Sequence, residues 1–88
     1  MEYRKLERLV KGYANHRRIQ IMDLLHSEPE LSVEEVADKL SVNFKTISEH
    51  IRRLATSGLV LKRSEGNCVR HKLTSRAQSI LKFLRILE

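Results

Sequence analysis

The sequence predicts a mainly α fold with one small β-hairpin, in the order helix, helix, helix, helix, strand, strand, helix. Three observations predict it. Three glycines and one proline in 88 residues leave few breaks in regular structure. Apolar residues recur at steps of three and four in five stretches, the spacing of an amphipathic helix. They alternate only between positions 59 and 73, on either side of a Gly66-Asn67 pair suited to a hairpin tip.

Tyr3, Leu6, Val10 and Tyr13 step by three, four and three, so a first helix runs to about Tyr13. Asn15 is placed to cap a second helix. Ile19, Ile21, Met22, Leu24 and Leu25 make that helix apolar nearly all round its C-terminal half, which puts it at the centre of the core. It stops near Ser27-Glu28-Pro29-Glu30, because proline disfavours helical geometry at the residue before it. Ser32-Val33-Glu34-Glu35 fits a capping box, and a short third helix turns Val33, Val36, Ala37 and Leu40 inward. Ser41-Val42-Asn43 is a tight connection whose Asn43 can cap the fourth helix. That helix carries Ile47, Ile51 and Leu54 on one face and ends before Gly58, a residue that suits the position after a helix. Residues 59–63 and 68–73 are the two strands, joined through Ser64-Glu65-Gly66-Asn67. Val69, His71 and Leu73 share one strand face, and Cys68, Arg70 and Lys72 the other. Thr74 or Ser75 caps a last helix carrying Ala77, Ile80, Leu81, Leu84 and Leu87.

The length suits one domain, residues 1–88. A chain of this size buries roughly 60–65% of its unfolded surface, which leaves little room for a deep catalytic cavity. No apolar run approaches the ~20 residues of a membrane span, and the charged opening Met1-Glu2-Tyr3-Arg4-Lys5 lacks the apolar stretch of a signal peptide. Cys68 is the only cysteine, so no intrachain disulfide forms. No glycine-rich phosphate loop and no Ser/His/Asp set at persuasive spacing is present. The expectation is a soluble cytoplasmic domain that is not an enzyme, a zinc ribbon or a secreted scaffold.

The net charge is +6, and all of it lies in one third of the chain. Residues 43–76 hold Lys45, Arg52, Arg53, Lys62, Arg63, Arg70, Lys72 and Arg76 against only Glu49 and Glu65, while the remainder sums to zero. Such a run is either a solvated face or the footprint of a polyanion. The pattern around it favours the second. Two short helices joined by a short turn, the second polar and basic outside, form a helix-turn-helix, and a hairpin directly after it forms a wing. The fold class is therefore winged helix-turn-helix. The major groove of DNA admits one such helix. With Ile47, Ile51 and Leu54 turned inward, the outer side shows Phe44, Lys45, Ser48, Glu49 and Arg52. Lys45 and Arg52 suit guanine edges or phosphate, and Ser48 suits either. Glu49 accepts from a cytosine amine, or repels the backbone and tunes specificity. Phe44 touches a thymine methyl, or packs against the wing or the preceding helix. Thr46 supports the first turn or one phosphate, Asn43 is a cap more than a base reader, and Arg53 extends the basic surface. Lys62, Arg63, Arg70 and Lys72 surround the tip at Asn67. A ribbon this basic lies along phosphates or tips into the minor groove; the plainer reading is a soluble hairpin whose charges suppress edge-to-edge aggregation.

Five segments in order resemble the ArsR/SmtB-type winged helix-turn-helix regulators. These are the run from Ala14 through Arg17-Arg18-Ile19 to Leu24-Leu25, then Leu31-Ser32-Val33-Glu34-Glu35-Val36-Ala37, Thr46-Ile47-Ser48-Glu49-His50-Ile51-Arg52-Arg53-Leu54, Ser57-Gly58-Leu59-Val60, and Glu65-Gly66-Asn67 to Leu73. The resemblance covers roughly residues 14 to 73. It implies a transcriptional regulator, usually a homodimeric repressor on an inverted repeat, whose first and last helices build the dimer interface. The sequence agrees, since Tyr3, Leu6, Val10 and Tyr13 at one end and Ile80, Leu81, Leu84 and Leu87 at the other are apolar stripes that a domain this small struggles to bury alone. Phe83 and Ile86 add a second apolar face. The alternative is that the two terminal helices pack on each other within one chain. Three departures bear on what else is implied. His16 stands where the family usually has proline. Ser32 and Glu34 stand where its metal sensors often carry cysteines, and residues 74–88 contain neither Asp nor His. No metal and no cofactor is therefore expected. The histidines, His16, His26, His50 and His71, fall in four different elements. Cys68 sits beside Arg70, whose charge favours the thiolate, although a lone cysteine is more often incidental. With residues ending at Glu88, no effector domain is expected. The expected partners are double-stranded DNA and a second copy of the chain, with no membrane and no metal. The competing functions are a docking module for an acidic protein and a weakly specific architectural DNA-binding protein.

Overall fold

The computed structural model describes residues 1–88. Helices α1 (Tyr3–Tyr13), α2 (His16–Ser27), α3 (Val33–Leu40) and α4 (Phe44–Thr56) precede an antiparallel hairpin of β1 (Val60–Glu65) and β2 (Cys68–Leu73), and α5 (Ser75–Leu87) follows it. Local chemistry starts four of the five helices. The Asn15 side chain accepts from the amides of Arg17 and Arg18 at 3.0 and 3.2 Å. Ser32 and Glu35 form the reciprocal capping box, at 3.1 and 2.9 Å. Asn43 accepts from the amides of Lys45 and Thr46 at 2.8 and 3.3 Å. Thr74, not Ser75, caps α5 by accepting from the Ala77 amide at 3.2 Å. Each of these bonds satisfies an amide that the helix itself leaves unpaired. The turn between α3 and α4 is set by Ser41, which takes a left-handed φ of 55° and closes α3.

One core joins the elements. Ile21, Met22 and Leu25 of α2 meet Val36 and Ala37 of α3, Ile47, Ile51 and Leu54 of α4, Leu59, Val60 and Leu73 at the hairpin base, and Ala77 and Leu81 of α5. Burying a large aliphatic side chain contributes about 1.5–3 kcal/mol each, so α2, which touches both α4 and α5, is the axis of the fold. Leu81 belongs here. It is 3% exposed inside the protomer and is not available to a partner chain, which corrects its assignment to a dimer face. Tyr13 and Ile80 are half-buried against the same core, and Leu84 is half-buried. Tyr3, Leu6, Val10 and Leu87 remain exposed, with Phe83 and Ile86. The first helix therefore has two faces, since Leu9, Gly12 and Tyr13 dock it on the body while Tyr3, Leu6 and Val10 point away.

The hairpin is tighter than its sequence suggested. The strand β1 continues through Ser64 and Glu65, pairing Val60 with Leu73 at the base and Glu65 with Cys68 at the tip. Only Gly66 and Asn67 remain to turn the chain, and Gly66 does so at a φ of 61°, where a side chain is disfavoured. Every residue from Leu61 to Asn67 is exposed, so the ribbon projects beyond the core. Its base is gripped from the other side. Leu31 forms a bridge with His71, through bonds of 3.0 Å from the His71 amide to the Leu31 carbonyl and 2.9 Å from the Glu30 amide to the His71 carbonyl.

Candidate nucleic-acid interface

The helix α4 stands on three fully buried side chains, Ile47, Ile51 and Leu54. That anchoring turns Lys45, Ser48, Glu49 and Arg52 outward along one stripe, because residues three and four apart lie on one face. Lys45 has no carboxylate partner. Arg52 does: its Nε and Nη2 donate to Glu49 at 3.1 and 2.6 Å, and the Arg53 Nε donates to the same carboxylate at 3.3 Å. The Arg52 bonds, more than its charge, hold the Glu49 carboxyl below the usual carboxylate range. The sequence assigned Arg52 to guanine edges or phosphate and Arg53 to the basic surface; the fold gives both one shared counter-charge. Thr46 is exposed on the first turn and Asn43 is occupied as its cap.

Phe44 is 49% exposed. It shares a hollow of about 480 Å³ with Val33 of α3 and with Cys68 and Val69 of the wing, with Asn67 at its rim. This places Phe44 between the preceding helix and the wing. Cys68 is half-buried in the same hollow rather than standing open beside Arg70.

The wing separates its four cations into two kinds. Lys62 and Lys72 are exposed and have no carboxylate partner. Arg63 donates to Glu30 and to Glu65, both at 2.7 Å. Arg70 donates to the Glu30 carbonyl at 3.0 Å and to Glu35 at 3.3 Å, and its Nε lies 3.7 Å from Glu65. Glu30 itself holds a left-handed φ of 69°, an uncommon conformation for a side chain of its size. Together these contacts lash the ribbon to the start of α3. Those to Glu30 and Glu35 join residues 33 to 40 positions apart, and Glu30 and Glu35 were invisible as wing partners in a charge count restricted to residues 43–76. Only Glu35 carried any signal, as the acid of the capping box.

Two histidines support this frame. His71 is buried, with its Nδ1 2.9 Å from the Leu31 carbonyl, so a protonated Nδ1 donates there. Burial pushes its pKa below the ordinary value, and the bond to Leu31 opposes this. His50 lies on the side of α4 near the start of α2. Burial first, then the charges of Arg18 and Arg17, lower its pKa, and its Nδ1 is buried without a hydrogen-bond partner. No three His, Cys, Asp or Glu side chains converge in a metal-binding arrangement.

An anchored polar helix beside a projecting basic ribbon defines a winged helix-turn-helix domain, a DNA-binding class of transcription regulators and not a class of enzymes. The model of bacterial regulatory proteins of the arsR family matches residues 15–62. The chain belongs to that family. It is 39% identical over 67 residues to the transcriptional activator HlyU of Vibrio cholerae, a match covering 76% of this chain and 61% of that protein. It is 31% identical over 74 residues to a putative arsenical resistance operon repressor of Halobacterium salinarum, covering 83% of this chain and 57% of that protein. The chain thus spans about three fifths of each relative. Among solved structures, the homodimeric DNA-binding domain of Mb0332 from Mycobacterium bovis superposes with a TM-score of 0.87 at 29% identity, over 97% of this chain and 79% of that one. HlyU from Vibrio cholerae superposes with a TM-score of 0.85 at 33% identity, over 99% and 97%. No helix is long and apolar enough to cross a membrane.

Proposed function

We propose that residues 1–88 act as one cytoplasmic domain that binds double-stranded DNA sequence-specifically as a homodimer on an inverted repeat, and represses by occluding a promoter. One observation carries this reading: α4 is fixed by Ile47, Ile51 and Leu54 while Lys45, Glu49 and Arg52 stay exposed with the half-buried Ser48 among them, next to a ribbon that projects free of the core. Lys45, Ser48, Glu49 and Arg52 discriminate bases in the major groove. Phe44 sits at the groove edge, and Asn43, Thr46 and Arg53 serve the backbone. Lys62 and Lys72 supply phosphate contacts near the tip residue Asn67, and Arg63 and Arg70 hold the wing at the angle those contacts need. The dimer forms through the exposed Tyr3, Leu6 and Val10 of α1 and Leu84 and Leu87 of α5, with Tyr13 and Ile80 at the margin. The homodimeric state of the Mycobacterium bovis domain supports self-association. The name of HlyU, an activator, gives the opposite sign of regulation in one relative.

Selection of bound duplexes from a random-sequence pool at about 150 mM salt, close to physiological ionic strength, tests the reading. Enrichment of an inverted repeat with half-site centres about ten base pairs apart is expected of two recognition helices one turn apart. Retention without an enriched motif indicates an architectural protein, and no retention at low salt indicates a docking module. Transcription in vitro from a promoter bearing the selected site then distinguishes repression from activation.

A further inference from the structure

Seven cationic side chains converge away from the wing. A cleft of about 530 Å³ opens between α1 and the C-terminal half of α4, bordered by the starts of α2 and α5. Lys5, Arg8 and Lys11 enter it from α1, Arg18 from α2, Arg52 and Arg53 from α4 and Arg76 from α5, with the hydroxyls of Thr56 and Ser57 between them. No carboxylate lines it. Arg8, Arg18 and Arg76 have no carboxylate partner anywhere. The Arg18 Nη1 is occupied by the Gly12 carbonyl at 2.9 Å, yet its Nε is buried without a hydrogen-bond partner. Four elements thus bring like charges together, an arrangement that favours a polyanion in the space between them. The charge count along the chain hides this, because residues outside 43–76 sum to zero while four of their cations, Lys5, Arg8, Lys11 and Arg18, line the cleft.

We infer that this cleft is a second phosphate-binding site, and that it seats a stretch of DNA backbone flanking the bases read by α4. This rests on the proposed DNA-binding function. The source is argued from continuity. Arg52 belongs both to the outward stripe of α4 and to the cleft wall, so a backbone leaving the groove at the end of α4 runs into the cleft past a single acid, Glu49, which Arg52 and Arg53 already neutralise. Guanidinium groups match phosphate oxygens two at a time; of the five in the cleft, Arg8 and Arg76 make no hydrogen bond within the protein, while Arg52 and Arg53 share Glu49 and Arg18 bonds to the Gly12 carbonyl. The cleft is compatible with the proposed dimer, since at 100° per residue the centre of its α1 wall lies roughly 160° around that helix from the stripe of Tyr3, Leu6 and Val10.

The test uses the full chain carrying Arg8→Gln and Arg76→Gln, two exposed residues whose loss breaks no ion pair. Affinity for a random duplex is measured against salt, beside a wing variant, Lys62→Gln with Lys72→Gln. Tripolyphosphate is titrated separately, with the Gly12 and Ser57 amide resonances as the readout. Four arginines per dimer at about 0.9 each predict a slope of log affinity against log salt that is shallower by about 3 to 4. The thermal midpoint and the preferred site should not change. An unchanged slope in the Arg8/Arg76 variant, with a shallower one in the wing variant, overturns the inference and leaves the DNA-binding reading standing. If the slope is unchanged but tripolyphosphate binds the parent and not the variant, the cleft takes phosphate from a free polyphosphate and its assignment to DNA is overturned. If the parent binds no duplex, the proposed function fails, and the backbone assignment with it. Tripolyphosphate then decides whether the cleft binds phosphate at all.

Discussion

Replacing Gly12 by alanine should loosen the first helix and, through it, the dimer. A Cβ at Gly12 would lie 2.0 Å from the Ser57 Oγ and 2.5 Å from the Ser57 Cβ. The hydroxyl can rotate away, but the Cβ is fixed to the end of α4. Carbon atoms pack at about 3.5–4.0 Å, so α1 must retreat by about 1–1.5 Å. That movement strains the contacts of Leu9 and Tyr13 with the core and the bond from Arg18 to the Gly12 carbonyl. Overpacking of this kind costs about 1–3 kcal/mol. Alanine returns up to about 1 kcal/mol as the better helix former. The net loss of about 1–2 kcal/mol corresponds to a fall in melting temperature of about 4–16 °C for a domain of this size. Melting followed by circular dichroism at one fixed protein concentration measures it, and sedimentation gives the dimer dissociation constant, which should rise. Ser57→Gly removes both clashing atoms, so the double variant should recover most of the loss. A Gly12→Ala protein as stable as its parent, or one that Ser57→Gly does not rescue, would refute the contact and the role given to α1.

Three further outcomes are expected. Glu49→Gln should release Arg52 and Arg53, steepening the salt dependence of random-duplex binding by up to about 1.8 per protomer and narrowing the preference between the selected site and random DNA; an unaltered slope would mean the Glu49 pairing does not restrain these arginines. Both His71 and His50 have pKa values lowered in the fold, so below the ordinary value of about 6.5 the unfolded chain binds more protons than the folded one. Stability is therefore full above about pH 6.5 and is lost as pH falls through the lowered folded values, and His71→Phe should flatten this dependence in urea titrations, leaving the share from His50. Leu6→Glu should yield a folded monomer by light scattering with weakened DNA binding, whereas Leu81→Ala should cost about 2–5 kcal/mol of stability as a core truncation; the reverse pattern would exchange the roles assigned to these two leucines.

The order of elements was legible because its signals are local. Asn15, Ser32, Asn43 and Thr74 cap amides two or three residues ahead, and Ile47, Ile51 and Leu54 share a face through the period of one helix. The outward stripe of Lys45, Ser48, Glu49 and Arg52 follows from the same period. The hairpin tip was legible in Gly66, although the strands closed tighter than the surrounding polar residues suggested, because β1 pairs out to Glu65 opposite Cys68.

By itself, then, the sequence determined the helices, their caps, the winged class and the helix that faces outward. Tertiary structure alone decided the state of the charges and the fate of the apolar stripes. Arg63 and Arg70 meet Glu30 and Glu35 across 33 to 40 residues, and a charge count along the chain has no means of pairing them. The last helix is apolar around much of its circumference, so periodicity could not tell Leu81, which entered the core, from Leu87, which did not. Nothing in the sequence around Gly12 points to Ser57, which packs against it from the end of α4. The physical reason is the same in each case. Hydrogen bonds and periodicity within a helix reach about four residues, while ion pairing and close packing depend on which surfaces the core brings together.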